Sequence, residues 1–417
     1  MSGAGHSTAD GRRVALEELL LALAIRLALA GALAAALGVN SEDAFADYDG
    51  YLQIADHIRL EGEFGVAGRT HPVLHRGPLY PAMVALVGGS RFRLGFAILN
   101  SLAGALLCVV VAAMARRHFA HAGKLAFWVT CLHPLLLMSI RVCMTQLVGA
   151  LLVAAVFHYS LREWPKPPTW RSALTAGTLA GLALLTHGGL MPLVVVGLAG
   201  MLRIGAVREN QTPRALRHRA LPALAALACM VALVAPWALR NSAAASRPML
   251  YSGLGYQYWC GYGIIRGDDP YITVTEELAS QGVLFRCSGL EPDFSSVPPD
   301  LDERLTQSAI EHLRANAPQV ILRRLSEVYR PWLADQRHGW RTLAVAGVPN
   351  IIVFLLVVWS RPQRRNPPVF WHLVLATALL TLGLAFTAVT LGDGAYSVYM
   401  LPLLLCMIGA PPSRRSD

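Results

Sequence analysis

The chain has 417 residues, of which 54% are hydrophobic and only 15% charged, with a mean hydropathy of +0.45. That make-up excludes an ordinary soluble globule and indicates a polytopic membrane protein. The net charge of +10 does not indicate nucleic acid as a partner. Many of the Lys and Arg residues cluster in short segments between apolar runs, as the positive-inside rule requires of cytoplasmic loops.

The first apolar run, Val14 to Val39, is too long for a signal-peptide core and reads as an uncleaved first span, with Arg12 and Arg13 in the cytoplasm. Glu17 and Glu18 suit its inner end, and Arg26 suits a contact facing the bundle. The polar stretch from Asp43 to Pro81 follows. Three aspartates (Asp43, Asp47, Asp49) open it, and Tyr51, Ile54, Ala55 and Ile58 then recur at helical spacing, which predicts a short amphipathic helix along the bilayer surface. Two prolines in Arg76-Gly77-Pro78-Leu79-Tyr80-Pro81 turn the chain back toward lipid.

Further spans are predicted at 92–115, 125–139, 144–161, 172–186, 190–204, 220–239, 342–359, 369–391 and 398–410. The fifth and sixth turn at His187-Gly188-Gly189. Basic segments (Arg116, Arg117 and Lys124; Arg162, Lys166 and Arg171; RIGAVRENQTPRALRHR; SRPQRRNPP; Arg414 and Arg415) all fall on one side under this count. The expected fold is therefore all-α, a polytopic bundle of about ten transmembrane helices with both termini inside. It divides into an N-terminal bundle (1–240) carrying the first outer loop (40–91), an extracytoplasmic region (241–340) and C-terminal transmembrane helices (341–417). Within the middle region a glycine- and tyrosine-rich half reads as irregular backbone. Its second half is helical, with Leu305, Ala309, Leu313 and Leu322 near the right period, interrupted at Pro318.

Chemistry is expected in the outer segments. A carboxylate in the first loop can take a proton from an acceptor hydroxyl, while His71, His75 and Arg76, with Arg69 further back, can hold a departing phosphate. Each also has a plainer use, the aspartates as helix caps and the cations as headgroup contacts. Tyr256, Tyr258, Trp259 and Tyr262 can stack on a sugar or anchor at the interface. The seven cysteines show no metal-ligand spacing. Cys108, Cys131, Cys229 and Cys406 fall in spans as small apolar packers, whereas Cys260 and Cys287 share the outer region and are a candidate disulfide in an oxidising periplasm. These features alone do not separate an enzyme from a transporter or flippase of lipid-linked glycans.

The order of the motifs resembles that of the GT-C membrane glycosyltransferases, specifically the protein O-mannosyltransferase and aminoarabinose transferase group. The resemblance runs through Asp47 to Tyr51, YLQIADHI and Arg76 to Pro81, then Leu184 to Pro192 (LLTHGGLMP) and Pro236 to Asn241 (PWALRN). It continues through SGLGYQYWCGYG, Ala309 to Pro318 and YSVYMLP. It implies an inverting transferase that moves a sugar from a polyprenyl-phosphate carrier to a lipid, glycan or protein acceptor on the outer side. Residue by residue it implies Asp47 as catalytic base with Asp49 second, and Arg240 and Arg330 as further phosphate contacts. Tyr51, His187, Tyr256 and Trp259 are candidate acceptor or sugar contacts. A divalent metal, if one is used, falls to Asp47 and Asp49. The implied location is a bacterial inner membrane with the site facing the periplasm. The chain departs from the pattern at Thr145-Gln146, where an acidic residue is common, at His187, where an arginine is common, and at Gly394-Ala395-Tyr396, where an arginine precedes the tyrosine. An inactive relative that binds a lipid-linked sugar remains a third reading.

Overall fold

The computed structural model describes residues 4–47, 50–68, 72–119, 122–164, 166–202, 213–252, 299–326, 332, 347–360, 367–387 and 397–408. Among these residues the chain is helical almost throughout, the one β interaction being an isolated parallel bridge between Ala46 and Val142. The helices are α1 (Ala4–Leu37), α2 (Tyr51–Glu61), α3 (Leu79–Leu86), α4 (Arg93–His118), α5 (Gly123–Leu132), α6 (Pro134–Met138) and α7 (Gln146–Leu161). They continue with α8 (Trp170–Thr186), α9 (Met191–Ala199), α10 (Pro213–Ala245), α11 (Pro299–Ser326), α12 (Val348–Ser360), α13 (Pro367–Thr387) and α14 (Ser397–Leu405).

Arg12–Leu37, Gly89–His118 and His218–Ala245 are long and apolar enough to cross a bilayer. Gly123–Leu132 and Pro134–Arg141, bent by 51° at His133, make a fourth span if taken together. The bend has a local cause, because Pro134 disfavours α geometry at the residue before it and His133 is extended (φ −62°, ψ 119°). The chain is thus an integral membrane protein. Three or four of the expected spans are long enough among the described residues, and Gln146–Leu161, Gly188–Ala199, Val348–Ser360 and Pro367–Leu379 are apolar but shorter.

Helix α4 lies at the centre, packed by α1, α5 and α7, and α7 in turn carries α8, α9 and α14. Helices α8 and α10 approach through small residues: a Cβ on Gly177 would stand 2.2 Å from Ala226 O, and one on Gly181 2.9 Å from Leu233 Cβ. This is the close backbone packing that glycines four apart permit between membrane helices. The outer helices face lipid. In α12, Asn350, Val353, Val357 and Ser360 are buried in one stripe while Phe354, Leu355, Val358 and Trp359 are exposed.

One expectation meets a different arrangement, and one is met as stated. The apolar face of α2 does not lie on the bilayer; Tyr51, Leu52, Ile54 and Ala55 are buried, and α2 packs on α3. Its aromatic face is too bulky to leave uncovered when α3 can bury it. In the second half of the middle region α11 bends at Asn316 (φ −124°, ψ 22°). Pro318 lacks the N–H for that turn and crowds the residues before it.

Candidate functional site

The segment that follows α1 is held by backbone pairing. Ala46 N donates to Arg141 O (3.0 Å) and Cys143 N to Ala46 O (2.8 Å), while Arg93 Nη1 donates to Phe45 O (2.9 Å) and its other Nη atom pairs with Glu42. Asp47 comes next, half-buried. Its Oδ1 accepts from Tyr51 N (3.1 Å) and its Oδ2 from Leu52 N (2.8 Å). Both oxygens therefore face the N-terminus of α2, where amide donors and the helix dipole favour an anion. Gly50 makes this turn in the left-handed region (φ 71°), and a side chain there would be strained.

Tyr51 is the hub. Its ring meets Tyr80 edge-on at 5.3 Å, the Arg76 guanidinium lies 5.0 Å over it, and Arg76 Nη1 donates to its hydroxyl at 3.5 Å. Tyr80 OH donates to Asn100 Oδ1 (3.2 Å), and Asn100 Nδ2 donates to Val142 O (2.9 Å). One buried amide thus ties α3 and α4 to the loop that pairs with Ala46. Tyr80 has its pKa raised, chiefly by burial, with Asp47 a smaller contributor. Arg76, His75, Tyr51 and Asp47 are brought together at this end of the molecule.

Burial, with Arg76 beside it, lowers the His75 pKa well below its ordinary value. This favours the neutral, hydrogen-bonding form of His75 over the imidazolium. Because its folded pKa lies below the unfolded value of about 6.5, the unfolded chain binds more protons as pH falls. The contribution to stability is complete above about pH 6.5 and is lost below it, by up to about 1.4 kcal/mol per pH unit. Thermal midpoints of wild type and His75→Gln, measured from pH 8 to about 5, are expected to converge or cross on acidification. Parallel curves would place His75 in water.

The loop returns over α8. A Cβ on Gly77 would stand 2.2 Å from Leu185 O and 2.8 Å from Thr186 O, backbone atoms that cannot swing aside. Gly77→Ala is expected to destabilise the protein by about 1–3 kcal/mol in thermal unfolding; an unchanged midpoint would mean that the loop does not rest on α8.

The end of α10 that carries Arg240 holds the same loop. Arg240 Nη1 donates to Val73 O (2.8 Å) and Asn241 Oδ1 (2.8 Å), and its Nη2 donates to Phe64 O (3.1 Å). Its guanidinium lies over the rings of Phe64 (5.4 Å) and Trp237 (4.8 Å). Asn241, fully buried, donates from Nδ2 to Leu250 O at 2.7 Å. Tyr251 OH donates to Leu184 O, and a Cβ on Gly188 would stand 2.3 Å from the Tyr251 ring. Burial raises the Tyr251 pKa, with Tyr51 as the second cause.

On the other flank, Thr145 and Tyr399 share a hydrogen bond of 2.6 Å, and the His187 ring lies 5.8 Å from that of Tyr399. Two of the positions at which the chain departs from the resembled pattern, Thr145 and His187, are therefore joined through Tyr399. Asn100, Asn241, Tyr251 and Tyr399 are contacts that composition did not reveal; the only sequence signal was that Asn241 and Tyr399 fall inside PWALRN and YSVYMLP. Asp49, His71, Tyr256, Trp259, Arg330, Cys260 and Cys287 lie outside the described residues. Among the described residues no group of three His, Cys, Asp or Glu side chains is placed to hold a metal ion.

No protein-family model matches the chain, and no curated protein matches it by sequence. Solved structures do match by shape. The archaeal oligosaccharyltransferase AglB from Archaeoglobus fulgidus, in complex with an inhibitory peptide and a dolichol-phosphate, is 15% identical with a TM-score of 0.53 over 95% of this chain and 50% of its own. An Archaeoglobus fulgidus oligosaccharyltransferase in the apo form gives 13% identity and a TM-score of 0.53 over the same shares. The chain thus spans about half the length of these oligosaccharyltransferases. ArnT from Cupriavidus metallidurans, in the apo state, is 16% identical with a TM-score of 0.42, over 95% of this chain and 78% of its own. At these identities it is the fold alone that is shared with the oligosaccharyltransferases.

Proposed function

We propose that this chain is a membrane glycosyltransferase that moves a sugar from a polyprenyl-phosphate carrier to an acceptor on the extracytoplasmic side. The observation that carries the reading is the packing of Asp47, Tyr51, His75 and Arg76 into one unit, on a fold shared with an oligosaccharyltransferase. The proposed topology has about ten spans with both termini inside, so that the first outer loop and region 241–340 face the periplasm of a bacterial inner membrane.

In the reaction, the acceptor hydroxyl gives its proton to Asp47 as its oxygen attacks the anomeric carbon from the face opposite the phosphate. The bond from that carbon to the phosphate oxygen breaks, and its electron pair leaves with the polyprenyl phosphate. The two bonds to α2 fix the direction of the Asp47 carboxylate. Arg76 supplies the positive charge for the leaving phosphate, with neutral His75 as an added hydrogen-bond donor. Arg240 acts by holding Val73 and Phe64, which positions the loop carrying Arg76. Asp49, His71 and Arg330 extend the proposal on sequence grounds, as do Tyr256 and Trp259 as sugar contacts, with Tyr51 and His187 nearest the acceptor. No step is assigned to a metal ion.

The test uses the purified chain in liposomes with a panel of polyprenyl-phosphate sugars and mixed acceptors. One donor is expected to lose its sugar and yield free polyprenyl phosphate. A folded protein that consumes no donor yet equilibrates lipid-linked glycans across the bilayer would make it a flippase.

A further inference from the structure

Arg26 is fully buried near the middle of the first span, 14 residues after Arg12 and 11 before Leu37. At about 1.5 Å per residue those separations are roughly 21 and 17 Å, too far for the side chain to reach water by extension. A cation at such depth requires a counter-charge or a special function. Among the described residues no carboxylate reaches it. Nη1 donates to Ala22 O (3.3 Å) and to Cys131 Sγ (3.5 Å), and Nη2 donates to Cys108 Sγ (3.3 Å). Nε has no partner.

The remainder of the cluster is apolar: Ala22, Ala105, Ala112 and Phe127, flanked by Leu19, Leu23 and Ile25. The helices are shaped around the guanidinium, since a Cβ on Gly104 would stand 2.6 Å from Arg26 Nε. Both cysteines are unbridged and buried, one on α4 and one on α5, and both meet the same guanidinium. Of the other charges on α1, α4 and α5, Arg93 lies at the far end of α4, paired with Glu42, and the rest sit toward the end that carries Arg12 and Arg116. There Glu18 and Arg116 are paired with each other (2.6 Å), and both, with Lys124, line a cleft of about 570 Å³ that reaches Phe127.

We propose that Cys108 and Cys131 share one negative charge as a thiol–thiolate pair that neutralises Arg26, forming a nucleophilic site inside the membrane for small uncharged α,β-unsaturated carbonyl compounds. The guanidinium supplies the electropositive setting that makes a cysteine reactive, and the apolar surroundings select electrophiles that partition into lipid. In the reaction, the thiolate sulfur bonds to the β-carbon and the alkene π pair moves to the α-carbon. That carbon takes the proton of the second thiol, which becomes the thiolate facing Arg26, so the charge pair survives the modification. The adduct would sit between α1, α4 and α5.

Two measurements on the full chain in nanodiscs test this. In ultraviolet difference spectra of wild type against C108S/C131S, a thiolate band equal to one sulfur is expected at pH 7, retained in Arg26→Lys and lost in Arg26→Met. Labelling by N-ethylmaleimide, read by peptide mass, is expected at Cys108 or Cys131 with little change in rate between about pH 6 and 8, whereas a thiol with a pKa of about 8.5 speeds up roughly tenfold per pH unit over most of that range. Cys229, half-buried and hydrogen-bonded to Thr178, is the internal control for entry of the reagent into the membrane. Arg26→Met is expected to slow the labelling at pH 6 at least about tenfold, the loss of thiolate outweighing the gain in intrinsic nucleophilicity. Absence of the band in wild type overturns the charge pair. A band without maleimide addition overturns the electrophile site.

Discussion

Asp47→Asn is expected to lower sugar transfer by about 10² to 10⁴-fold, the range of a lost general base, while the protein stays folded. The substitution separates two roles that this side chain holds at once. As a cap, Asp47 offers both oxygens to Tyr51 N and Leu52 N. Asparagine keeps one such acceptor and is about as good a helix cap as aspartate, so the fold should lose no more than about 1 kcal/mol. As a base, asparagine is inert. Asp47→Ala removes both roles and is expected to show the same loss of transfer with a clearly lower thermal midpoint, by about 0.5–2 kcal/mol. Transfer and thermal unfolding measured on all three proteins decide the matter. If transfer tracks stability, falling in the alanine variant and persisting in the asparagine variant, Asp47 is a cap alone and the base lies elsewhere, with Asp49 next in sequence.

The same residue shows what a sequence can and cannot disclose. That α1, α4, α7, α8 and α10 are helices where expected follows from long apolar runs ended by Arg, Lys, Pro or Gly, signals that act within a few residues. The break at Pro134 and the bend before Pro318 are equally local. What Arg240 touches is not local: its partners are Phe64 and Val73, far away in the chain, and an arginine beside a tryptophan reads the same whether it binds phosphate or carbonyl oxygen. Tyr399 likewise lies in an ordinary apolar run, and only the packing of α14 against α7 brings it to Thr145 and His187. The face of α2 was misassigned for a related reason. Helical periodicity identifies an apolar stripe but not whether lipid or α3 covers it.

Arg240→Ala is expected to cost on the order of 3 kcal/mol of stability, because three charge-assisted hydrogen bonds are lost together and the carbonyls of Phe64 and Val73 are left without this donor. The guanidinium is half-buried and stacked between Phe64 and Trp237, so packing is lost with the charge. Arg240→Lys is the informative companion. A lysine keeps the charge but cannot place donors on two carbonyls in the fixed fork that Arg240 uses. If Arg240 clamps the loop, both variants unfold at lower temperature. Both should also be cut faster by a glutamyl endopeptidase after Glu61 or Glu63, which are exposed. If it binds the donor phosphate instead, Arg240→Lys keeps the wild-type midpoint and cleavage rate and raises KM for the donor with kcat little changed. The clamp predicts the opposite split, since a loosened loop displaces Arg76 from the leaving group and lowers kcat in both variants, even at saturating donor.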